Sequence, residues 1–180
     1  MRDIERVAER LKIRRARPED AEARFRWFSD AAVTEFLPLA GERNLPLESI
    51  VEFLAKASRE DEPNLNVGIE LLSGRQIGCG GLREIVPGES AEVSVVIGER
   101  DVWGLGYGRE AMGLLLREGF AVLNLKSIWL IVREENVRAV RLFSQLGFVV
   151  TETLHAAAVV KGIPRTKLRM QLEASAWTRK

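Results

Sequence analysis

Histidine, tyrosine and cysteine each occur once, at His155, Tyr107 and Cys79. A single cysteine excludes an intramolecular disulfide. With one histidine beside it, no Cys/His spacing of a zinc site can be built, so no metal is expected. A general base is therefore expected among the carboxylates. Lysine and arginine, 27 in all, exceed aspartate and glutamate, 26, by one. The basic excess of a nucleic-acid binder is missing. No apolar run approaches the ~18 residues of a membrane span. The charged start, Met1 to Arg6, has no apolar stretch of a signal peptide. These absences lead to the expectation of a soluble cytoplasmic protein with neither nucleic acid nor membrane as partner.

What is present is ordinary in bulk and unusual in one stretch. At 180 residues, with 46% apolar and 29% charged, the chain is expected to form one domain spanning 1–180 with a real core. The unusual stretch is Trp103-Gly104-Leu105-Gly106-Tyr107-Gly108-Arg109. It follows the strand-like run Val93 to Ile97 and leads into an amphipathic helix. Each glycine costs about 0.5–1 kcal/mol in a helix or strand interior relative to alanine. Three in alternation therefore mark a turn whose free N–H groups sit beside the positive end of a helix dipole, a site suited to phosphate or pyrophosphate.

The rest of the chain supplies the setting. Residues 1–10 read as a charged lead-in and Leu11 to Ala16 as a short strand. Pro18 opens a helix with Ala21, Phe25, Phe28 and Ala32 on one face and Trp27 off that stripe. A loop from Pro38 to Pro46 precedes a helix over 47–59, with Ile50, Val51, Phe53, Leu54 and Ala57 at helical spacing, ended by Glu60 to Asn64. A hairpin joins strands 65–72 and 76–85 through Ser73-Gly74-Arg75. Gly78, Gly80 and Gly81 in its second strand imply a bulge or a close approach by a backbone or a ligand. A strand over 91–97 is followed by the glycine turn and a helix over 108–123. The unbroken apolar run Lys126 to Val132 fits a strand buried on both faces. Asn136 can cap a helix over 137–146 that ends at Gly147. Closing strands over 148–154 and 167–172 flank a turn at Gly162 to Pro164, and Ala174 to Lys180 carries no clear signal. The order predicts an α/β (α+β) fold: a central mixed, mostly antiparallel sheet with helices on both faces.

Two readings fit the turn. Gly106-Tyr-Gly108-Arg-Glu-Ala111 matches the dinucleotide pattern G-x-G-x-x-G/A, with Glu134 after the next strand in place of the ribose-binding acid. A nicotinamide dinucleotide-binding protein is thus one alternative, but some ninety residues precede the fingerprint and no second mononucleotide-binding half fits behind it. The other reading takes four segments in order. They are Ile77-Gly-Cys-Gly-Gly-Leu82 with Ala91-Glu92, the turn Trp103 to Gly108, Asn136-x-x-Ala139, and Leu146-Gly147-Phe148. Together these resemble the GNAT superfamily of N-acetyltransferases over about residues 11–173. The similarity is greatest to the branch containing the ribosomal-protein (RimJ/RimL-type) enzymes and their polyamine- and antibiotic-modifying relatives.

The resemblance implies acetyl-CoA as cosubstrate and a splayed strand pair for its pantetheine arm. The amides of Trp103, Gly104, Leu105, Gly106, Tyr107, Gly108 and Arg109 would hold the pyrophosphate. Trp103 stands where the family has Gln or Arg, which leaves the amide chemistry intact. Val95, Val96 and Ile97 would pair with pantetheine through their backbone. Asn136 matches the family's Asn and Glu92 the position of its frequent base, with Glu84 and Glu135 as weaker candidates. Strand alternation puts Glu92, Ser94 and Val96 on one face. Phe143 occupies the cofactor-side position where the family often carries a thiolate-protonating Tyr, so the thiol would leave with help from water, Ser144 or the amine itself. The acceptor wall would be built from Trp27, Phe28, Phe36 and Ser94, with Arg26, Glu35 and the segment His155 to Arg165 nearby. This region has no concentrated acidic run to suit a polyamine. An open neutral groove favours a peptide N-terminus, with a small amine as the other option. A monomer or homodimer is expected. A second class of function stays open because of Phe143: a module that binds acyl-CoA with weak or no catalysis.

Overall fold

The computed structural model describes residues 4–37, 46–59, 61–160 and 163–177. Most of the loop expected over Pro38 to Pro46, residue Glu60, the Gly162 end of the last turn and the final three residues lie outside the described residues. The chain order is β1 (Glu5–Val7), β2 (Leu11–Arg15), α1 (Ala21–Ser29), α2 (Ala31–Thr34), α3 (Leu47–Ala57), β3 (Leu65–Leu71), β4 (Gln76–Val86), β5 (Ser90–Ile97), α4 (Tyr107–Arg117), β6 (Ser127–Arg133), α5 (Val137–Gln145), β7 (Val149–Val160) and β8 (Ile163–Glu173). The strands form one sheet in the order β1-β2-β3-β4-β5-β6-β8-β7. Only β5 and β6 run parallel; every other neighbour is antiparallel.

Alternation along the strands divides the side chains between two faces. Leu11, Ile13, Leu65, Val67, Ile69, Val93, Ile128, Leu130, Val132 and Met170 point to the face covered by α4 and form the main core with Met112, Leu115 and Leu116. Trp27 of α1, Val33 of α2 and Cys79 of β4 form a separate cluster on the other face, with Val96 and Trp103 packed against it. Burial raises the Cys79 thiol above its ordinary pKa and keeps it unreactive.

Three expectations need correction. Residues 5–7 are not a lead-in but an edge strand, because Ile4 is drawn into the core and β1 pairs with Lys12 to Arg14. The buried face of α1 is Ala21, Arg24 and Trp27, whereas Phe25 is exposed. The cause lies just before the helix. Arg14 holds Asp20 through two hydrogen bonds of 3.1 and 2.8 Å, which fixes the rotation of α1. Arg24 can then occupy a core position because its Nη2 donates to the Val67 carbonyl at 3.3 Å. On α3 the buried stripe is Ile50, Leu54 and Ala57, and Val51 and Phe53 face out. The helix after the glycine turn is α4 followed by one π-helical turn at Glu118–Val122, and β7 and β8 extend beyond the segments predicted for them.

The glycines of β4 answer the question of what approaches them. A Cβ on Gly78 would lie 2.3 Å from the Val96 carbonyl oxygen, and on Gly80 2.4 Å from that of Ser94. The close approach to these two is by the β5 backbone, and to Gly81 by the Leu65 carbonyl of β3, beside a bulge at Ile77.

Candidate active site

The site begins where two strands part. β5 and β6 pair only through Ser90↔Ser127, Ala91↔Ile128 and Glu92↔Trp129. Beyond Glu92 they separate while β6 stays paired with β8 as far as Arg133. The carbonyls of Ser94 and Val96 face Gly80 and Gly78 on β4. Alternation therefore turns the N–H and C=O of Val95 and Ile97 toward the gap. The Ile97 carbonyl already accepts from the Trp103 indole at 2.8 Å. Val95 is left with both backbone groups free, and Ile97 with its N–H. Val96 offers its side chain rather than its backbone to this region.

The glycine turn closes one end of the gap. Gly104 and Gly106 have φ of 81° and 89°, conformations that L-residues other than glycine adopt only at a cost. Gly106 is the N-cap of α4. The amides of Trp103 and Leu105 donate within the turn, to Arg100 and Val102, and that of Arg109 donates to Gly106. Those of Gly104, Gly106, Tyr107 and Gly108 have no backbone acceptor among the described residues. Four free N–H groups at the start of an eleven-residue helix suit a doubly charged phosphate group.

Arginines surround the turn. Arg10, from the loop between β1 and β2, donates to the Leu105 carbonyl at 2.9 Å, pairs with Glu110 at 2.9 Å and lies 4.5 Å from the Tyr107 ring centroid. Its guanidinium braces the turn and fixes the start of α4. Arg100 and Arg138 sit against the Trp103 ring at 5.9 and 5.1 Å, and Arg109 bonds Gln145 on α5. Arg10 lies nearly a hundred residues before the turn, and no local pattern in the sequence points to it.

On the face of α1 and α2, Glu92, Ser94 and Val96 line up as alternation requires. Glu92 is mostly buried and accepts from Arg83 at 3.0 Å through Oε1. Asn136 caps α5 by accepting from the Ala139 amide at 3.2 Å, which leaves its Nδ2 uncommitted. Phe143 is buried in the main core against Phe148, ring centroids 6.0 Å apart. Ser144 is exposed and so is His155. Trp27 is 3% exposed. Its ring covers Gly98, where a Cβ would stand 2.1 Å away, and its indole donates to Glu99 at 2.9 Å. Phe28 packs on the same cluster. Phe36 stands apart from it, under the guanidinium of Arg133 at 5.2 Å. The structure thus brings Glu92, Ser94, Val96 and Phe28 to one face, sets Trp27 in the core beneath, and joins Phe36 to the β6 side. Among the described residues no three His, Cys, Asp or Glu side chains converge to hold a metal, and no helix is long and apolar enough to cross a membrane.

A mixed sheet whose parallel pair splays beside a glycine-rich helix start is the architecture of an acyltransferase that takes its donor from coenzyme A. The acetyltransferase (GNAT) domain model matches residues 10–149, and the chain belongs to that family. It is an acyltransferase, and acetyl-CoA is the donor this family uses. Among curated proteins it is 29% identical over 142 residues to the uncharacterized N-acetyltransferase p20 of Bacillus licheniformis, covering 78% of this chain and 79% of that one. It is 35% identical over 80 residues to spermidine N(1)-acetyltransferase of Escherichia coli K12, covering 44% of this chain and 42% of that one. Among solved structures, a GNAT-family acetyltransferase from Bacillus anthracis shares the fold at a TM-score of 0.81 and 20% identity, over 96% of this chain and 99% of that one. Spermidine N-acetyltransferase from Vibrio cholerae, solved with CoA and spermine, shares it at 0.83 and 24%, over 92% and 96%.

Proposed function

We propose that the chain is a single-domain, cytoplasmic N-acetyltransferase of the RimJ/RimL-like branch, moving an acetyl group from acetyl-CoA to a primary amine in a ternary complex. The observation that carries this is the gap beyond Glu92↔Trp129, with the unpaired backbone of Val95 on one side and the free amides of Gly104, Gly106, Tyr107 and Gly108 at its end. In this reading those amides hold the pyrophosphate, and Val95 with the Ile97 N–H orients the pantetheine arm. Glu92 takes the amine proton, directly or through water, as the nitrogen forms its bond to the acetyl carbon and the carbon–sulfur bond breaks. Asn136 Nδ2 is free to steady the arm. Phe143 has no proton to give the thiolate, so the proton comes from water, from the exposed Ser144 or from the amine itself. Phe28, Phe36 and Ser94 border the acceptor, with Trp27 supporting them from below. A peptide N-terminus or a small amine fits this open cleft.

The first test is calorimetric titration with acetyl-CoA, with NADH and NADPH as controls, followed by thiol release in the presence of amines. Micromolar binding of acetyl-CoA alone, and acceptor-dependent thiol release, are the expected results. Binding without release under any acceptor would favour the non-catalytic acyl-CoA module that Phe143 suggests. Binding of a nicotinamide cofactor alone would overturn the reading.

A further inference from the structure

Strand pairing lays out the charges on the acceptor side of the sheet. Arg83 lies opposite Glu92, Glu92 beside Trp129, and Trp129 opposite Gln171. Two residues further on, Ser94 faces the gap on β5, and Ile131 with its β8 neighbour Arg169 faces it from the other bank. Two further again come Val96 on β5 and, across the gap, Arg133 on β6, whose β8 neighbour is Lys167. The bank opposite Ser94 and Val96 is therefore lined by Arg133, Lys167 and Arg169.

Of these three cations only Arg133 has an ion pair among the described residues. Arg133 is 8% exposed and its Nε has no hydrogen-bond partner. Its Nη1 donates to the Glu35 carbonyl at 2.7 Å, and its Nε forms an ion pair with Glu135 at 3.6 Å. The Arg169 guanidinium lies over Trp129, 4.1 Å from the ring centroid, and leans toward the row that holds Glu92. Its β7 neighbour Glu152 is exposed and forms no ion pair with it. No carboxylate among the described residues reaches Lys167. Arg83 and Arg133 have carboxylate partners in Glu92 and Glu135, so the cations of this face without an ion pair among the described residues are Arg169 and Lys167. A half-buried guanidinium and ammonium with no counter-charge are ready partners for a carboxylate. A polycation would meet repulsion from both.

We propose that the acceptor amine belongs to an acidic peptide N-terminus, whose side-chain carboxylate lies against Arg169 and Lys167 while its nitrogen faces Glu92 and Ser94. This rests on the acetyltransfer reading of the gap. The two ends of the acceptor are set apart by about 7 Å along the strands and roughly 10 Å across them. That span suits a carboxylate on the second or third residue and is too long for a free α-amino acid. Polyamines, which the spermidine N-acetyltransferases of Escherichia coli and Vibrio cholerae are named for, are the class this face rejects.

The test uses tetrapeptide amides, so that side chains carry the only carboxylates: Ser-Asp-Glu-Gly, Ser-Asn-Gln-Gly and Ser-Lys-Lys-Gly, with spermidine beside them. Each is titrated calorimetrically into the protein–CoA complex, and thiol release from acetyl-CoA is followed separately. The acidic peptide should bind about tenfold tighter than its neutral match. The preference should collapse in the double variant Arg169→Gln/Lys167→Gln and survive in Arg169→Lys. Unchanged CoA affinity in each variant reports that the fold and cofactor site are intact. Equal or tighter binding of the neutral peptide, the lysine peptide or spermidine overturns the proposal, as does failure of every peptide to bind. Preference for the acidic peptide without thiol release would instead overturn the catalytic reading and, with it, the peptide's role as acceptor, leaving only an acidic-peptide binding face.

Discussion

Gly106→Ala separates the cost of a strained backbone from the loss of a phosphate site, because the chain contains its own control. Gly106 has φ 89° and Gly74, in the hairpin between β3 and β4, has φ 90°. A Cβ on Gly74 would meet nothing within 4 Å, and one on Gly106 only the tip of Arg10, at 3.3 Å. Both substitutions therefore cost about 1–2 kcal/mol, the penalty of the left-handed conformation for a residue with a Cβ. For a chain of this size that lowers Tm by about 2–8 °C. Only Gly106 also aims the free amides of the turn. Losing one charge-assisted hydrogen bond to the pyrophosphate is worth about 1.5–3 kcal/mol, or roughly 10- to 150-fold in Kd. Thermal melting and acetyl-CoA calorimetry on both variants should show equal destabilisation and unequal affinity, with Gly74→Ala binding as the parent does. Normal affinity in Gly106→Ala, or an equal loss in Gly74→Ala, would refute the pyrophosphate assignment.

Other substitutions address single links in the chain of reasoning. Glu92→Gln should lower kcat by about 10²–10⁴ while leaving acetyl-CoA affinity unchanged; unaltered turnover removes Glu92 as the base. Asp20→Ala strips the nearly buried Arg14 of its bidentate partner. It should cost about 3 kcal/mol by urea denaturation, at the lower end for a broken buried pair because Glu70 still binds Arg14 at 2.9 Å. A loss below about 1 kcal/mol would mean that this pair does not anchor α1. Burial pushes the Glu99 carboxyl upward, but hydrogen bonds from Trp27, Arg26 and Arg75 outweigh it and hold the group below its ordinary value. Its stabilising share is thus complete above the unfolded carboxylate pKa of about 4.3 and disappears as pH falls through the lower folded value. Between pH 5 and 3, Glu99→Gln should lose less Tm than the parent does; equal losses would mean that the Glu99 cluster adds nothing to acid stability.

What could be read in advance was whatever depends on neighbours in the chain. The hairpin at Ser73-Gly74-Arg75, the glycine-rich entry to α4, the Asn136 cap and the positive φ of Gly147, 98°, all follow from local backbone chemistry. The shared face of Glu92, Ser94 and Val96 needs only the two-residue period of a strand. Helix faces were harder: Phe25 was the natural core residue of α1 by hydrophobicity, yet the Arg14–Asp20 pair rotated the helix to bury Arg24 in its place. Non-local pieces left no trace. Arg10 braces Leu105 and Glu110 across nearly a hundred residues, and Arg83 reaches Glu92 only because β4 and β5 pair in this register. The same holds most strongly for the face we propose for the acceptor. Lys167, Arg169 and Gln171 alternate with Leu168, Met170 and Leu172 in sequence, which says that one side of the strand is polar and nothing about what it faces. β8 is inserted between β6 and β7, pairing with β6 through seven residues from Ser127↔Glu173 to Arg133↔Lys167. That insertion brings an unremarkable polar stripe to the gap opened by β5. The charge of the proposed acceptor site is thus a property of topology, and two chains with equally convincing glycine turns can present opposite charge beside the gap.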